Sequence, residues 1–337
     1  MRPMPEVAIV GAGPVGLLLG LLLRRQGIDV LLIEQRTTRS GHTRAIGIHP
    51  PALAVLDEAG VAPDLIAAGT KITSGLARSG GRELARLDFA AVPGPRQYVL
   101  AVPQPVTERV LRTRFLSAGG RVAEGIRIDS VYDGGSSVAL CGHPTPGSGI
   151  EGKQPGAASG SVRFEARLAI GADGAHSAVA QAVGAETTGR KYPDTYFMGD
   201  FADTTGAPDT ALLFLEREGI VESFPLPGSI RRWVVRTRRL QTSTVADELA
   251  ALIKDRTGMH VDPASNSMLS AFSVRSRLVR RMVNGRVALI GDAAHEISPI
   301  GGQGMNLGWL DAAALVPIIA GALGGQPSSA ALARFER

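Results

Sequence analysis

Residues 291–306, GDAAHEISPIGGQGMN, bring an acid, a histidine and a run of glycines together, far from a second glycine cluster, GAGPVG, at 11–16. The earlier cluster has the spacing G-x-G-x-x-G. Gly11, Gly13 and Gly16 let the backbone come close to a diphosphate, with Pro14 and Val15 between them opening a helix whose first amides and dipole favour negative charge. Glu34 closes the next apolar run, where a carboxylate accepts from ribose hydroxyls, and Gln35 and Arg36 follow it at the same edge. An acid there favours an adenosine ribose without a 2′-phosphate. The first cluster alone fits FAD or NAD equally.

The second cluster separates the two. FAD carries a ribitol chain and a flat ring well beyond its diphosphate. Gly291 and Asp292 follow the strand pattern RVALIG, which places the Asp292 carboxylate to accept from ribitol hydroxyls or to support the diphosphate region. GGQGMN at 301–306 then opens an apolar helix pattern. Amides at its start can face the ring's pyrimidine side, where a reduced flavin is negatively charged.

These residues need a parallel sheet to hold them. VAIV (7–10), an apolar helix pattern ending near Gly27, and DVLLIE (29–34) read as a βαβ unit. RLAIG (167–171) and RVALIG (286–291) end in glycine as VAIVG does, so the motifs that follow meet beyond the strands' carboxyl ends. Helices are expected from Pro50 to Asp57, from Pro105 to Ser117 and near Ala246 to Asp255. From Gly184 to about Arg280 alternating stretches such as ALLFLEREGIVESFPLPG imply a second, more antiparallel unit. The fold class is α/β: a discontinuous Rossmann-like FAD-binding domain (1–70, 89–184 and 281–337) with an α+β substrate domain (71–88 and 185–280). The glycine- and proline-rich stretch 142–161 reads as the tip of a long hairpin.

Composition narrows the alternatives. The chain has 337 residues, 44% of them hydrophobic, enough for two packed units rather than a disordered tail. A single cysteine, Cys141, excludes an internal disulfide, and no zinc spacing accompanies it, so a cytoplasmic setting is expected. The start of the chain runs into a strand pattern and is read as having no signal peptide. LLLGLLL (17–23) is too short to span a membrane and reads as a buried helix. The net charge of +5 is scattered, so no nucleic-acid partner is expected.

GAGPVG (11–16), GADGAHS (171–177) and GDAAHEISPIGGQGMNLGWLDA (291–312) together resemble the three fingerprints of the single-component flavin monooxygenases of the para-hydroxybenzoate hydroxylase type, in the right order. The resemblance implies FAD as cofactor, NADPH or NADH as reductant without a separate nicotinamide domain, and molecular oxygen as co-substrate. It implies a flavin C4a-hydroperoxide that hydroxylates an aromatic or polyketide-like small molecule. Carried over, it places Asp173 and Gly174 near the diphosphate and the incoming nicotinamide, and Arg44 and Gln104 on FAD. Pro299 would lie beside the reactive ring edge, and Gly302, Gln303, Gly304, Met305 and Asn306 along its pyrimidine side. Ala180 departs from the family, which usually has arginine there, and the chain stops at ARFER where relatives continue.

His295 either touches flavin or substrate as a catalytic group or supports the loop, and His49 either approaches the ring face or starts a helix. Phe224 and Trp233 are candidate walls of an aromatic pocket, with core packing the alternative for Trp233. Two rivals share all three fingerprints: a reductase or dehydrogenase of the same fold, and a catalytically idle FAD-binding protein. Oligomeric state and substrate identity have no signal in the sequence.

Overall fold

The computed structural model describes residues 4–38, 45–91, 94–146, 160–242, 245–326 and 329–336. Val7–Val10 is buried at every position, as a strand covered on both faces must be. It pairs in parallel with Val30–Glu34 on one side and Leu168–Gly171 on the other. Among the described residues the sheet runs Val283–Asn284, Val287–Leu289, Leu168–Gly171, Val7–Val10, Val30–Glu34, Arg121–Glu124. Its pairs are parallel except at the short Val283–Asn284 edge. The strands that lead into the three motifs are therefore adjacent, and their carboxyl ends lie along one edge.

The two-residue period of the strands decides what covers each face. Val7, Ile9, Val30 and Leu32 share a core with Leu17, Leu18 and Leu21 of the helix Pro14–Arg25, Phe115 of Gln104–Ser117 and Trp309, Leu315 and Ile319 of Gln303–Leu323. Ala8, Val10 and Ile33 pack on the opposite side against an antiparallel sheet of Ile126–Asp133, Val138–Pro144 and Val162–Ala166. The last two strands form the expected hairpin, and residues 147–159 of its connection lie outside the described residues. The stretch Ile300–Leu323 is long and apolar enough to cross a membrane, with a mean hydropathy of 1.5. Its burial against Pro14–Arg25 accounts for that composition, because a helix packed within a core is apolar around much of its circumference.

A second sheet has the order His295–Glu296, Met268–Val279, Thr187–Ala202, Ile230–Thr237, Gly219–Leu226, Thr210–Glu216, Ser74–Ser79, Arg82–Asp88. It is antiparallel except where Thr210–Glu216 meets Ser74–Ser79. Its edge strand His295–Glu296 belongs to the third motif, so the final segment of the chain contributes to both large sheets. The helix Ala246–Thr257, closed by Gly258 at φ 71°, lies on one face over Phe197, Trp233 and Val235. On the other face Ala211, Phe224 and Leu226 pack against Ile46, Ile72, Val99 and Ala101, which belong to or adjoin a small sheet of Gly47–Ile48, Val99–Ala101 and Thr70–Ile72.

Strand register gives Trp233 the core-packing alternative. Trp233 pairs with Ser223 and Phe224 with Arg232, so the two aromatic side chains stand on opposite faces. Phe224 faces the small sheet of Gly47–Ile48, Val99–Ala101 and Thr70–Ile72. Trp233, 1% exposed, stacks on Phe214 with ring centroids 6.2 Å apart beneath the helix and lines no pocket. Trp233→Ala should therefore destabilise the protein by about 3–5 kcal/mol in chemical denaturation while leaving the FAD affinity of the folded fraction unchanged.

Candidate functional site

Gly11 sits at φ 104°, and a Cβ there would stand 2.3 Å from the Ala172 carbonyl oxygen. Only glycine allows the first turn to close on Ala172–Asp173, and this contact unites the first two motifs. A Cβ at Gly16 would meet the Gly11 oxygen at 2.0 Å, whereas Gly13, the N-cap of Pro14–Arg25, has nothing within 4 Å. The loop is thus closed on its protein side and open at Gly13, beside helix amides that lack intrahelical acceptors. That is the geometry a diphosphate needs.

Glu34 is buried and aimed at this loop. Its Oε2 accepts from the Ala12 amide at 2.8 Å, and Oε1 accepts from Arg36 N at 2.9 Å and Nε at 3.0 Å. Burial pushes the carboxyl up, but the Arg36 bonds and charge and the Ala12 amide outweigh it and hold the group below the usual carboxylate range. An ionised Glu34 keeps lone pairs for ribose hydroxyls. Arg36 also feels the charge of Glu108, whose Oε1 accepts from Gln104 Nε2 at 2.8 Å, so Gln104 belongs to the same edge. Gln35 is exposed, and its carbonyl accepts from Thr145 Oγ1 at 3.0 Å. Arg44 lies outside the described residues.

The Asp173 carboxylate accepts from Ser177 Oγ at 2.5 Å, Ala178 N at 2.7 Å and Val179 N at 3.2 Å, so it caps the short helix Ala178–Ala182. The Asp173 backbone, packed on Gly11, is what approaches the nucleotide loop. Gly174, at φ 81°, is open on its Cβ side. Ala180, where the family has arginine, is 4% exposed in an apolar cluster with Val179 and Leu289.

In the third motif, a Cβ on Gly308 would meet Val15 Cγ2 at 2.6 Å and Gly291 Cα at 3.1 Å, and Trp309 Nε1 donates to the Pro14 carbonyl at 3.0 Å. Pro14 and Val15 are therefore where the two long helices that begin at glycine loops are clamped together. Asp292 makes no side-chain hydrogen bond among the described residues, and its Oδ1 stands 3.7 Å from where a Gly304 Cβ would be. It reaches solvent, yet protein atoms packed around the carboxyl, together with Glu296, push its pKa up. An unpaired carboxylate beside a helix start suits a ligand hydroxyl.

His295 Nε2 lies 2.6 Å from Asp311 Oδ2, and that oxygen also accepts from the Gly291 amide at 2.9 Å, so the ring braces the loop against the helix as the supporting alternative has it. Burial pulls its pKa down, and the bond and charge of Asp311 with the charge of Asp292 more than offset this, leaving it raised. His49 starts the helix Pro50–Glu58, and its Nε2 donates to the Gly301 carbonyl at 2.9 Å, which assigns the proton to that nitrogen.

Asn306 is likewise used up. Oδ1 accepts from His49 N at 2.9 Å, and Nδ2 donates to the Gly47 and Gly302 carbonyls at 2.9 and 2.7 Å. The Asn306 side chain therefore shapes the loop. Pro299 is exposed at the start of that loop, Gly301 and Gly302 follow at φ 76° and 65°, and Gln303, Gly304 and Met305 form the first turn of the helix. Met305 packs partly into the core. Two helix starts, glycines that leave room for a ligand and an unpaired Asp292 fit a cofactor with a diphosphate at one end and a ring at the other.

Two groups escaped the sequence reading. Asp311 was detectable as one acid in an otherwise apolar helix. Glu222 was detectable by alternation, since Ile220, Glu222, Phe224 and Leu226 share a face of Gly219–Leu226. It is 5% exposed with no hydrogen bond or ion pair among the described residues, and burial pushes it up to about 7.

Asp292→Ala should weaken FAD binding by roughly 1.5–3 kcal/mol in apoprotein titration, whereas His295→Ala should lower the melting temperature with a smaller effect on affinity. For Glu222 the folded-state pKa exceeds the unfolded value of 4.5, so its contribution is complete below that value and is lost as pH rises through about 7. Above it, the buried carboxylate costs on the order of 3 kcal/mol. Glu222→Gln should accordingly be more stable than the parent at about pH 8 and lose that advantage at about pH 4 in denaturant titrations.

Sequence and structure comparisons agree with this geometry. The chain is 31% identical over 330 residues to an uncharacterised aromatic compound monooxygenase, YhjG, of Bacillus subtilis, covering 96% of this chain and 63% of that protein. It is 30% identical over 315 residues to the 6-methylpretetramide 4-monooxygenase of Streptomyces rimosus, covering 91% and 54%. The chain thus spans roughly three fifths or less of these relatives' length. Its fold is that of p-nitrophenol 4-monooxygenase PnpA from Pseudomonas putida DLL-E4, with a TM-score of 0.87 at 22% identity, covering 100% of this chain and 84% of that one. The family model described as FAD binding domain matches residues 4–337, and the chain belongs to that family.

Proposed function

We propose that this chain is the FAD- and substrate-binding part of an NAD(P)H-dependent monooxygenase that hydroxylates an aromatic or polyketide-like small molecule. The observation that carries the reading is the clamp of Gly308 and Trp309 on Pro14 and Val15, which joins two glycine-bordered helix starts on one sheet edge. The relatives' names, aromatic compound and 6-methylpretetramide monooxygenases, support the substrate class.

Bound FAD, reduced by NAD(P)H, supplies the oxygen-activating ring. The protein's residues do the rest. The Gly11–Gly16 loop and its helix hold the diphosphate, Glu34 the adenosine ribose, and Asp292 a hydroxyl of the linking chain. The start of Gln303–Leu323 stabilises negative charge on the pyrimidine side of the reduced ring. His49 and Asn306 fix the Pro299–Gly304 loop beside it, and the Phe224 face of the second sheet keeps water from the reacting atoms. A cytoplasmic location goes with this reading, supported by a single free cysteine, Cys141.

NAD(P)H oxidation by the yellow, FAD-loaded protein should be slow alone and accelerate with the right aromatic compound. With labelled dioxygen, one labelled atom should enter the product and the other water. Stoichiometric NAD(P)H consumption with an unlabelled, reduced product would establish a reductase, and no oxidation with any phenol or polyketide would leave an idle flavoprotein.

A further inference from the structure

The face of the second sheet turned toward the nucleotide-binding unit is lined mainly by apolar groups. Phe224 packs both with Ile46 and Val99 across the boundary and with the cluster of Tyr196, Met198 and Phe272 within the sheet. Glu222 is two residues before Phe224 on the same face, its nearest cross-strand partners Val234 and Leu213. Neither neighbour offers a donor.

Among the described residues, the other charged side chains on this face are matched. Arg232, on the strand beside Glu222, donates through Nε and Nη2 to both carboxylate oxygens of Asp200 at 2.7 Å. Arg236 is paired with Asp194. Tyr196, on Thr187–Ala202, is pushed up to about 12 by burial and by the charges of Glu222 and Asp194, and so remains neutral. Met268–Val279 presents Ser270 and Phe272 to this face, and Ser74–Ser79 presents Gly75 and Ala77, none of them charged. Glu222 is thus a carboxyl 5% exposed with no hydrogen-bond or ion-pair partner among the described residues, on the wall that Phe224 shares with the small sheet.

We propose that Glu222 hydrogen-bonds the hydroxyl of a neutral phenolic substrate and accepts its proton, so that the protein takes phenols in preference to aromatic carboxylates. This rests on the monooxygenase reading above. A buried acceptor left unpaired is costly, and a phenol supplies the missing donor. A carboxylate substrate would meet Glu222's own charge and find both nearby arginines engaged. In the proton step the phenol O–H bond breaks, its electron pair stays on oxygen, and an O–H bond forms on the Glu222 carboxyl. The phenolate charge spreads into the ring and makes it the nucleophile toward electrophilic oxygen. A carboxyl that burial pushes to about 7 is suited to take a proton near neutral pH.

The test uses the FAD-loaded protein without oxygen or reductant. Matched probes, 4-nitrophenol with 4-nitrobenzoate and 2-naphthol with 2-naphthoate, are titrated against the flavin absorbance of the parent, Glu222→Gln and Glu222→Leu. FAD content and melting temperature of each variant establish that it folds. The parent should bind each phenol at least about tenfold more tightly than its carboxylate. Glu222→Leu should abolish that preference, and Glu222→Gln should remove the pH dependence of 2-naphthol binding near neutrality, where free 2-naphthol stays neutral. Equal preference in all three proteins, tighter carboxylate binding by the parent, or no response to any probe overturns the assignment. Because binding is read without turnover, a Glu222-dependent phenol preference in a protein that incorporates no labelled oxygen would condemn the monooxygenase reading and leave the Glu222 assignment standing.

Discussion

The site depends on the contact between the start of Pro14–Arg25 and the body of Gln303–Leu323. A ligand as long as FAD needs two helix starts held at a fixed separation, and loops alone do not hold one. Here the Trp309 indole grips the Pro14 carbonyl, and the missing side chain of Gly308 admits Val15 and Gly291. Both helices then lie in one core with Val7, Ile9 and Leu32, so the separation is set by packed volume. Asp311, one turn beyond Gly308, ties the same helix back to Gly291 and His295.

Polar burial divides in two. Arg231, fully buried, pairs with Asp203 at 3.0 Å and donates to Ser223 Oγ and the Thr210 carbonyl, and Arg232 is bound by Asp200. These pairs hold the arginine charges within the sheet, although Arg231 Nε makes no hydrogen bond. Glu222 is the contrast: among the described residues it has no partner of opposite charge, on the face opposite the helix Ala246–Thr257. A fold tolerates such a group at a cost in stability, and costs of that kind concentrate where a ligand completes the bonding.

Much of the framework was legible because it is written in short-range pattern. The apolar strands ending in glycine, the helices after proline and the order of the three motifs depend on neighbours in sequence, and Val7–Val10, Val30–Glu34 and Pro50–Glu58 lie at or within a residue of where the pattern puts them. What was not legible depends on partners far along the chain. Trp233 and Phe224 look alike as aromatic residues in alternating strands, and only the register with Ser223 and Arg232, and the helix lying over one face, tell which of them meets the cofactor side. Asp173 and Asn306 look like ligand-binding polar groups, but their bonds are consumed by the Ala178–Ala182 helix start and by the Gly47 and Gly302 carbonyls. A motif marks a place more surely than it marks which of its atoms face outward.

The two-residue strand His295–Glu296 gives the molecule a property that neither sheet has alone. It pairs with Met268–Val279 through Leu278, Arg275 binds Glu296 at 2.7 Å, and Arg277 Nη2 donates to the Asp292 carbonyl at 2.8 Å. The polypeptide that leaves the edge of the parallel sheet is thereby stitched to the rim of the second sheet before it turns back through Pro299 to begin the long helix. The two sheets are spliced by a common girder: a tilt of the second sheet drags the Asp292 backbone with it, and a shift of the Pro299–Gly302 turn is felt at the sheet's border within a few residues of chain.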